Sequence, residues 1–101
     1  MLLLDQLKAD VAFLGCNGVD PSRGLTNGNI AEAEIKQAMV KSDGRAVFLA
    51  DHDKIGLVAS TFVVDISGAD LLITGDGADA AVLNDLRNVG LAIEVVRSGS
   101  K

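Results

Sequence analysis

Four short apolar runs divide the chain, at residues 11–15, 46–50, 71–74 and 91–96. Each is rich in Val, Ile, Leu and Ala, and most lack a clean period of two. That pattern predicts strands covered on both faces. Between them lie two stretches with helical spacing. In residues 30–41, Ala31, Ile35, Ala38 and Met39 recur at i, i+4, i+7 and i+8, the spacing of a buried stripe. Asn29 stands where it can cap this helix, and Glu32 occupies the acidic position of a capping box. In residues 80–88, Val82, Leu83 and Leu86 are expected to face inward, with Asp79 as N-cap and Gly90 as the stop. Residues 3–9 read as the end of a third helix, 61–64 as a further short strand, and 98–101 as a disordered tail.

Strands alternating with helices predict an α/β fold with a mainly parallel, Rossmann-like sheet and flanking helices. In such sheets ligands bind beyond the carboxyl ends of the strands. Those ends carry Cys16-Asn17-Gly18-Val19-Asp20, Asp51-His52-Asp53-Lys54 and Gly75-Asp76-Gly77. The opposite edge is poorer, with Asp10, Gly44-Arg45, Asp70 and Gly90. Polar groups therefore gather on the edge where a pocket belongs.

Composition narrows the possibilities. The 101 residues suffice for one small domain, and with only three Phe as aromatics its core must be aliphatic. A formal charge of −5, with the nine Lys and Arg dispersed, argues against nucleic-acid contact by this segment. Cys16 is the single cysteine, which excludes an intrachain disulfide and fits a reducing compartment. Asp5, Gln6 and Lys8 interrupt the opening Met1-Leu2-Leu3-Leu4, so neither an export signal nor a membrane span is expected. The expected location is cytoplasmic. No metal and no cofactor is expected.

The segment 15–29 is the richest in chemistry. Its glycines permit tight turns and close backbone approach. Asn17, Asp20, Thr26, Asn27 and Asn29 supply the mixed donors and acceptors that suit sugar hydroxyls. It leads into a helix amino end, which attracts anions. The alternative is an ordinary long turn with Asn29 as a cap.

At this point a resemblance becomes specific. The run ADVAFLGCNGVDPSRGLTNGNIAEAEIKQAM resembles the hallmark of the DeoR family's effector domain. That hallmark joins a Gly-x-Asn-Gly-(Ile/Val)-Asp loop and a Gly-Leu-Thr to a helix with Glu-Ala-x-x-Lys-x-Ala-Met. VFLADHDKIG is similar to the family's second signature, Ala-Asp-x-x-Lys-x-Gly, and DLLITGDGADAAVLNDLRNVGLAIEVV to its closing strand–helix–strand. The likeness runs in family order from about Lys8 to Val96. It implies the fold shared with ribose-5-phosphate isomerase and glucosamine-6-phosphate deaminase, and a phosphorylated sugar or polyol as effector. It also implies a regulator, usually a repressor, that meets DNA only through a helix-turn-helix outside these residues. The family's early Asp-x-Gly-(Thr/Ser)-Thr-like phosphate loop is likewise outside them. Residues 1–101 are therefore expected to be the carboxy-terminal portion of an effector domain, with an incomplete pocket.

The resemblance carries over site candidates residue by residue. Asn17 and Asp20 match the loop that holds the open-chain sugar in the related enzymes; Asp20 has the alternative of bracing the turn before Pro21. Thr26 and Asn29 complete the candidate ligand set from that segment. Lys36 matches the helix lysine, which meets either an anion or Glu32 as an i, i+4 pair. Asp51 and Lys54 match the second signature, either lining the pocket or pairing with each other. His52 reads as a partly exposed loop residue and Cys16 as a packed thiol. Asp76-Gly77-Ala78-Asp79 has the letters of an isomerase motif but sits at a later strand–helix junction, and reads as a helix cap. The leading expectation is a sugar-phosphate sensor that is not an enzyme and forms a homo-oligomer. An isomerase or deaminase of the same fold, using Asp20 with Lys36, and an oligomerisation-only fragment are the alternatives.

Overall fold

The computed structural model describes residues 11–42 and 44–97. The helix expected at 3–9 and the tail at 98–101 lie outside the described residues, as does Asp10 on the poorer edge.

Four strands form a parallel sheet in the order β1-β4-β6-β7: β1 (Val11–Gly15), β4 (Arg45–Leu49), β6 (Leu71–Gly75) and β7 (Ile93–Val96). These are the four expected strands, shifted by one or two residues at their ends. Helix α1 (Ile30–Lys41) lies between β1 and β4 in the chain, and α2 (Ala80–Asn88) joins β6 to β7. Alternate strand residues Leu14, Phe48 and Leu72 form one core with Ala33 of α1 and with Leu83 and Leu86 of α2. Both described helices thus bury against the same face. The expectation of strands covered on both faces is met only in part: on the other face Val47, beside Phe13, is buried at 4%, while Phe13 and Leu49 stay 63% and 42% exposed.

Helix α2 forms as its sequence predicts. The Asp79 carboxylate accepts from the Ala81 and Val82 amides at 2.8 and 3.2 Å, and Gly90 takes the left-handed φ of 103° just past the C-cap. Leu83 and Leu86 are buried, and Val82 packs partly buried against the core.

Helix α1 has the predicted ends but the opposite inner face. Asn29 caps it, its side-chain oxygen accepting from the Glu32 amide at 2.9 Å. Glu32 does not complete a capping box; its carboxylate accepts from Asn27 Nδ2 at 3.1 Å instead. The residues turned inward are Ala33, Lys36, Gln37 and Val40, whereas Ala31, Ile35, Ala38 and Met39 are exposed. Polar partners cause the reversal. Gln37 Nε2 donates to the Phe62 carbonyl at 2.8 Å and Lys36 Nζ to Asn27 Oδ1 at 2.7 Å, while the small Ala33 permits close approach.

Those partners belong to a second sheet that the sequence reading missed. The segment 18–27 is a hairpin of β2 (Gly18–Asp20) and β3 (Gly24–Asn27), and β5 (Thr61–Val64) extends it antiparallel in the order β2-β3-β5. The Asp20 carboxylate ties the turn by accepting from the Ser22 amide and hydroxyl and from the Arg23 amide at 2.8–3.0 Å. Gly24 follows at φ 81°, and a Cβ there would collide with the Val64 carbonyl. Leu25, Thr26 and Asn27 are fully enclosed between β5 and α1.

Candidate functional site

A cavity of about 540 Å³ opens at the carboxyl ends of all four parallel strands. Gly15, Cys16 and Asn17 reach it from β1, residues 49–52 and Lys54 from β4, residues 73–75 from β6, and Val96 and Arg97 from β7. Asn27 of β3 and Glu32 and Lys36 of α1 close one wall. The edge singled out by the strand order is therefore the edge that holds the cavity.

Of the seven residues proposed from sequence, the structure brings four together: Asn17, Lys36, Asp51 and Lys54 all line the cavity. Asn17 is fixed by its neighbours, since its Oδ1 accepts the Gly28 amide at 2.7 Å and its own amide donates to the Thr26 carbonyl at 2.9 Å. Asp51 and Lys54 do not pair through their side chains. The Lys54 amide donates to the Asp51 carbonyl at 2.9 Å, and the carboxylate nearest Lys54 Nζ belongs to Asp53, at 4.0 Å.

Asp20, Thr26 and Asn29 are not brought to the cavity. Asp20 braces the hairpin turn. Its carboxyl is held below the usual carboxylate range, first by the Arg23 amide and then by Ser22. The Thr26 hydroxyl accepts from the Ala59 amide at 2.8 Å inside the small sheet. Asn29 is the α1 cap. Alternation along β3 explains why Thr26 misses the cavity that Asn27 lines, because a strand sends successive side chains to opposite faces.

Lys36 is the central cation of the wall. Its side chain is only 18% exposed, donates to Asn27 Oδ1 at 2.7 Å, and stands 4.0 Å from Glu32 Oε1. The i, i+4 pair with Glu32 thus exists, but loosely, and Asn27 is the closer partner. Lys36, Lys54 and Arg97 give the lining three cations against the carboxylates of Glu32 and Asp51. This excess of positive charge lies within a chain whose formal charge is −5.

Three further residues shape the floor. Cys16 is a buried free thiol whose pKa is pushed up to about 11 by burial, against the opposing pull of the Lys36 charge, so it stays protonated and inert at neutral pH. His52 is exposed and packs over the β6 turn, where a Cβ on Gly77 would come 2.9 Å from its Cδ2. Thr74 escaped the sequence reading. It is 3% exposed, lines the cavity, and its hydroxyl has no hydrogen-bond partner among the described residues. The available signal was its place as the one polar residue ending the apolar run Leu71-Leu72-Ile73-Thr74.

Comparison with known proteins adds a family. The family described as DeoR C terminal sensor domain matches residues 2–76. The HTH-type transcriptional regulator GolR of Listeria innocua is 30% identical over 93 residues, which cover 92% of this chain and 37% of that protein. The HTH-type transcriptional regulator GlpR of Haloferax volcanii is 30% identical over 90 residues, 89% of this chain and 35% of that protein. The glycerol-3-phosphate regulon repressor of Haemophilus influenzae is 27% identical over 79 residues, 78% of this chain and 31% of that protein. The chain spans about a third of the length of these curated relatives.

Proposed function

This chain belongs to the family of DeoR C-terminal sensor domains, and from that membership we propose that its cavity binds a phosphorylated sugar or polyol and reports occupancy to a DNA-binding segment of a longer transcription regulator. The observation that carries the reading is Lys36. It is a largely buried ammonium on the wall of a cavity with more cations than acids, in an acidic chain. A dianionic phosphate suits that charge. Asn17, Asp51 and the Thr74 hydroxyl offer the acceptors and donors that sugar hydroxyls need.

The ligand acts by preferring one of two states of the parent protein, and it shifts their balance only by its difference in affinity for them. The parent works in the cytoplasm, as a homo-oligomer. The sensor reading is favoured over an isomerase by the names of the relatives and by the placement of Asp20. The carboxylate that would serve as base is fixed in the hairpin turn and not at the cavity.

A thermal-shift screen tests this. Ribose, fructose, galactose, tagatose, glycerol and glucosamine phosphates are compared with their unphosphorylated forms. A ligand at about 100 times its Kd stabilises the fold by about 2.7 kcal/mol. A shift confined to a phosphorylated compound is expected. Equal shifts with and without phosphate would remove Lys36 from its role, and no shift with any compound would count against effector binding by these residues.

A further inference from the structure

Helix α1 carries apolar residues on both of its sides. Ala33 and Val40 pack into the core, yet Ile35 and Met39 are 61% and 41% exposed on the outer side, with Ala31 and Ala38 exposed beside them. A surface helix keeps polar residues on its outer face, and one that is apolar on both faces is normally covered on both. In heptad terms Ala31, Ile35 and Ala38 occupy d, a and d, the seam that a second helix fills. Glu34 and Lys41 lie seven residues apart, and so both occupy g, on one flank of that seam. Both are exposed, and neither forms an ion pair among the described residues.

We propose that a second copy of this chain docks its own α1 antiparallel on this stripe, about a two-fold axis level with Lys36 and Gln37. Such an axis makes the contact isologous, so that residue i meets j and j meets i. Ile35 of each copy then fits over Ala38 of the other, large against small. The same axis lays each g flank against the g flank of the copy running the other way. Glu34 therefore faces Lys41 of the second copy, and the pairing occurs twice. A parallel arrangement would instead set g against e, bringing Glu34 towards Met39 and leaving both charges unanswered. Charge complementarity thus selects both the occupant and its direction.

Light scattering after size exclusion, over a dilution series of the chain, tests the assignment. The chain should be a dimer that dissociates on dilution, and Ile35→Glu should leave a monomer with an unchanged circular dichroism spectrum and melting point. Lys41→Glu turns both pairs repulsive and should raise the dimer Kd about tenfold, while Glu34→Lys with Lys41→Glu should return it to within about threefold of the original. All of these positions are exposed, so folding is not at stake. A chain that stays monomeric at its highest soluble concentration overturns the proposal, as does a dimer indifferent to Ile35→Glu. Loss with Lys41→Glu that the double exchange does not rescue overturns the antiparallel pairing.

Discussion

Replacing Thr74 by Val separates stability from binding at one atom. The side chain sits on β6, 3% exposed, opposite Val95 of β7, with its hydroxyl unpartnered among the described residues. Valine has nearly the same shape and the same branching at Cβ, so the strand and its packing are retained. A buried hydroxyl without a partner costs about 1–3 kcal/mol, and the exchange removes that cost. In a domain of this size each kcal/mol moves the melting point by about 4–8 °C. The ligand-free Thr74→Val protein should therefore melt at least about 4 °C above the parent. If the hydroxyl serves the ligand as proposed, the same exchange should weaken binding of any phosphorylated compound that the screen identifies, because a hydrogen bond worth about 0.5–1.5 kcal/mol would be lost from the complex. Thr74→Ser keeps the hydroxyl and should keep the ligand response. Scanning calorimetry on the three proteins, with and without ligand, reads both effects. An unchanged or lower melting point for ligand-free Thr74→Val would show that the hydroxyl is already satisfied, and would refute the reasoning.

Lys36→Met keeps the stem but removes the charge, and should erase the difference between phosphorylated and unphosphorylated compounds in the thermal-shift screen. Gly24→Ala places a Cβ against the Val64 carbonyl at a φ of 81°, and should destabilise by more than about 1 kcal/mol. The check is a lower urea midpoint with an unchanged slope. Cys16 supplies a pH dependence whose sign is fixed by its raised pKa. Below 9.0 the thiol is protonated in both the folded and unfolded chains; between 9.0 and about 11 the unfolded chain gives up a proton that the folded chain keeps. Stability is therefore lost as pH rises through that window, by about 2–3 kcal/mol in all. Cys16→Ala should flatten the alkaline limb of a plot of unfolding free energy against pH.

Much of the architecture could be read from local pattern. The four aliphatic runs became the four parallel strands, and α2 followed from Val82, Leu83 and Leu86 with Asp79 and Gly90 at its ends. The hairpin could not be read that way. β2 has three residues, β3 is Gly-Leu-Thr-Asn, and β3 finds its second partner only in residues 61–64, much further along the chain. That omission led to the second error, the inner face of α1. Apolar spacing treats Lys36 and Gln37 as solvent-facing, and only the presence of Asn27 and the Phe62 carbonyl makes the polar face the buried one. The site divides in the same way. Asn17, Asp51 and Lys54 were legible because strand ends were, whereas Asp20 and Thr26 were assigned to a loop that is in fact a sheet.

The hairpin also explains how an ammonium can be held in the wall and still serve a ligand. An ammonium has three donors, and Asn27 takes one from Lys36 at 2.7 Å. Glu32 at 4.0 Å is too distant for a hydrogen bond and is itself engaged by Asn27 Nδ2 at 3.1 Å. Asn27, almost wholly buried, thus orients the lysine and occupies the carboxylate that would otherwise neutralise it. Had Glu32 closed on Lys36, the wall would present a satisfied ion pair, and a phosphate would have to break it before binding. The arrangement leaves two donors and a net positive charge for an incoming anion, with the helix already fixed in place. On the proposed reading, a side-chain amide on an enclosed strand is what would let Lys36 act as a binding group, and Asn27→Leu should be read as a change in Lys36 rather than as a simple change in packing.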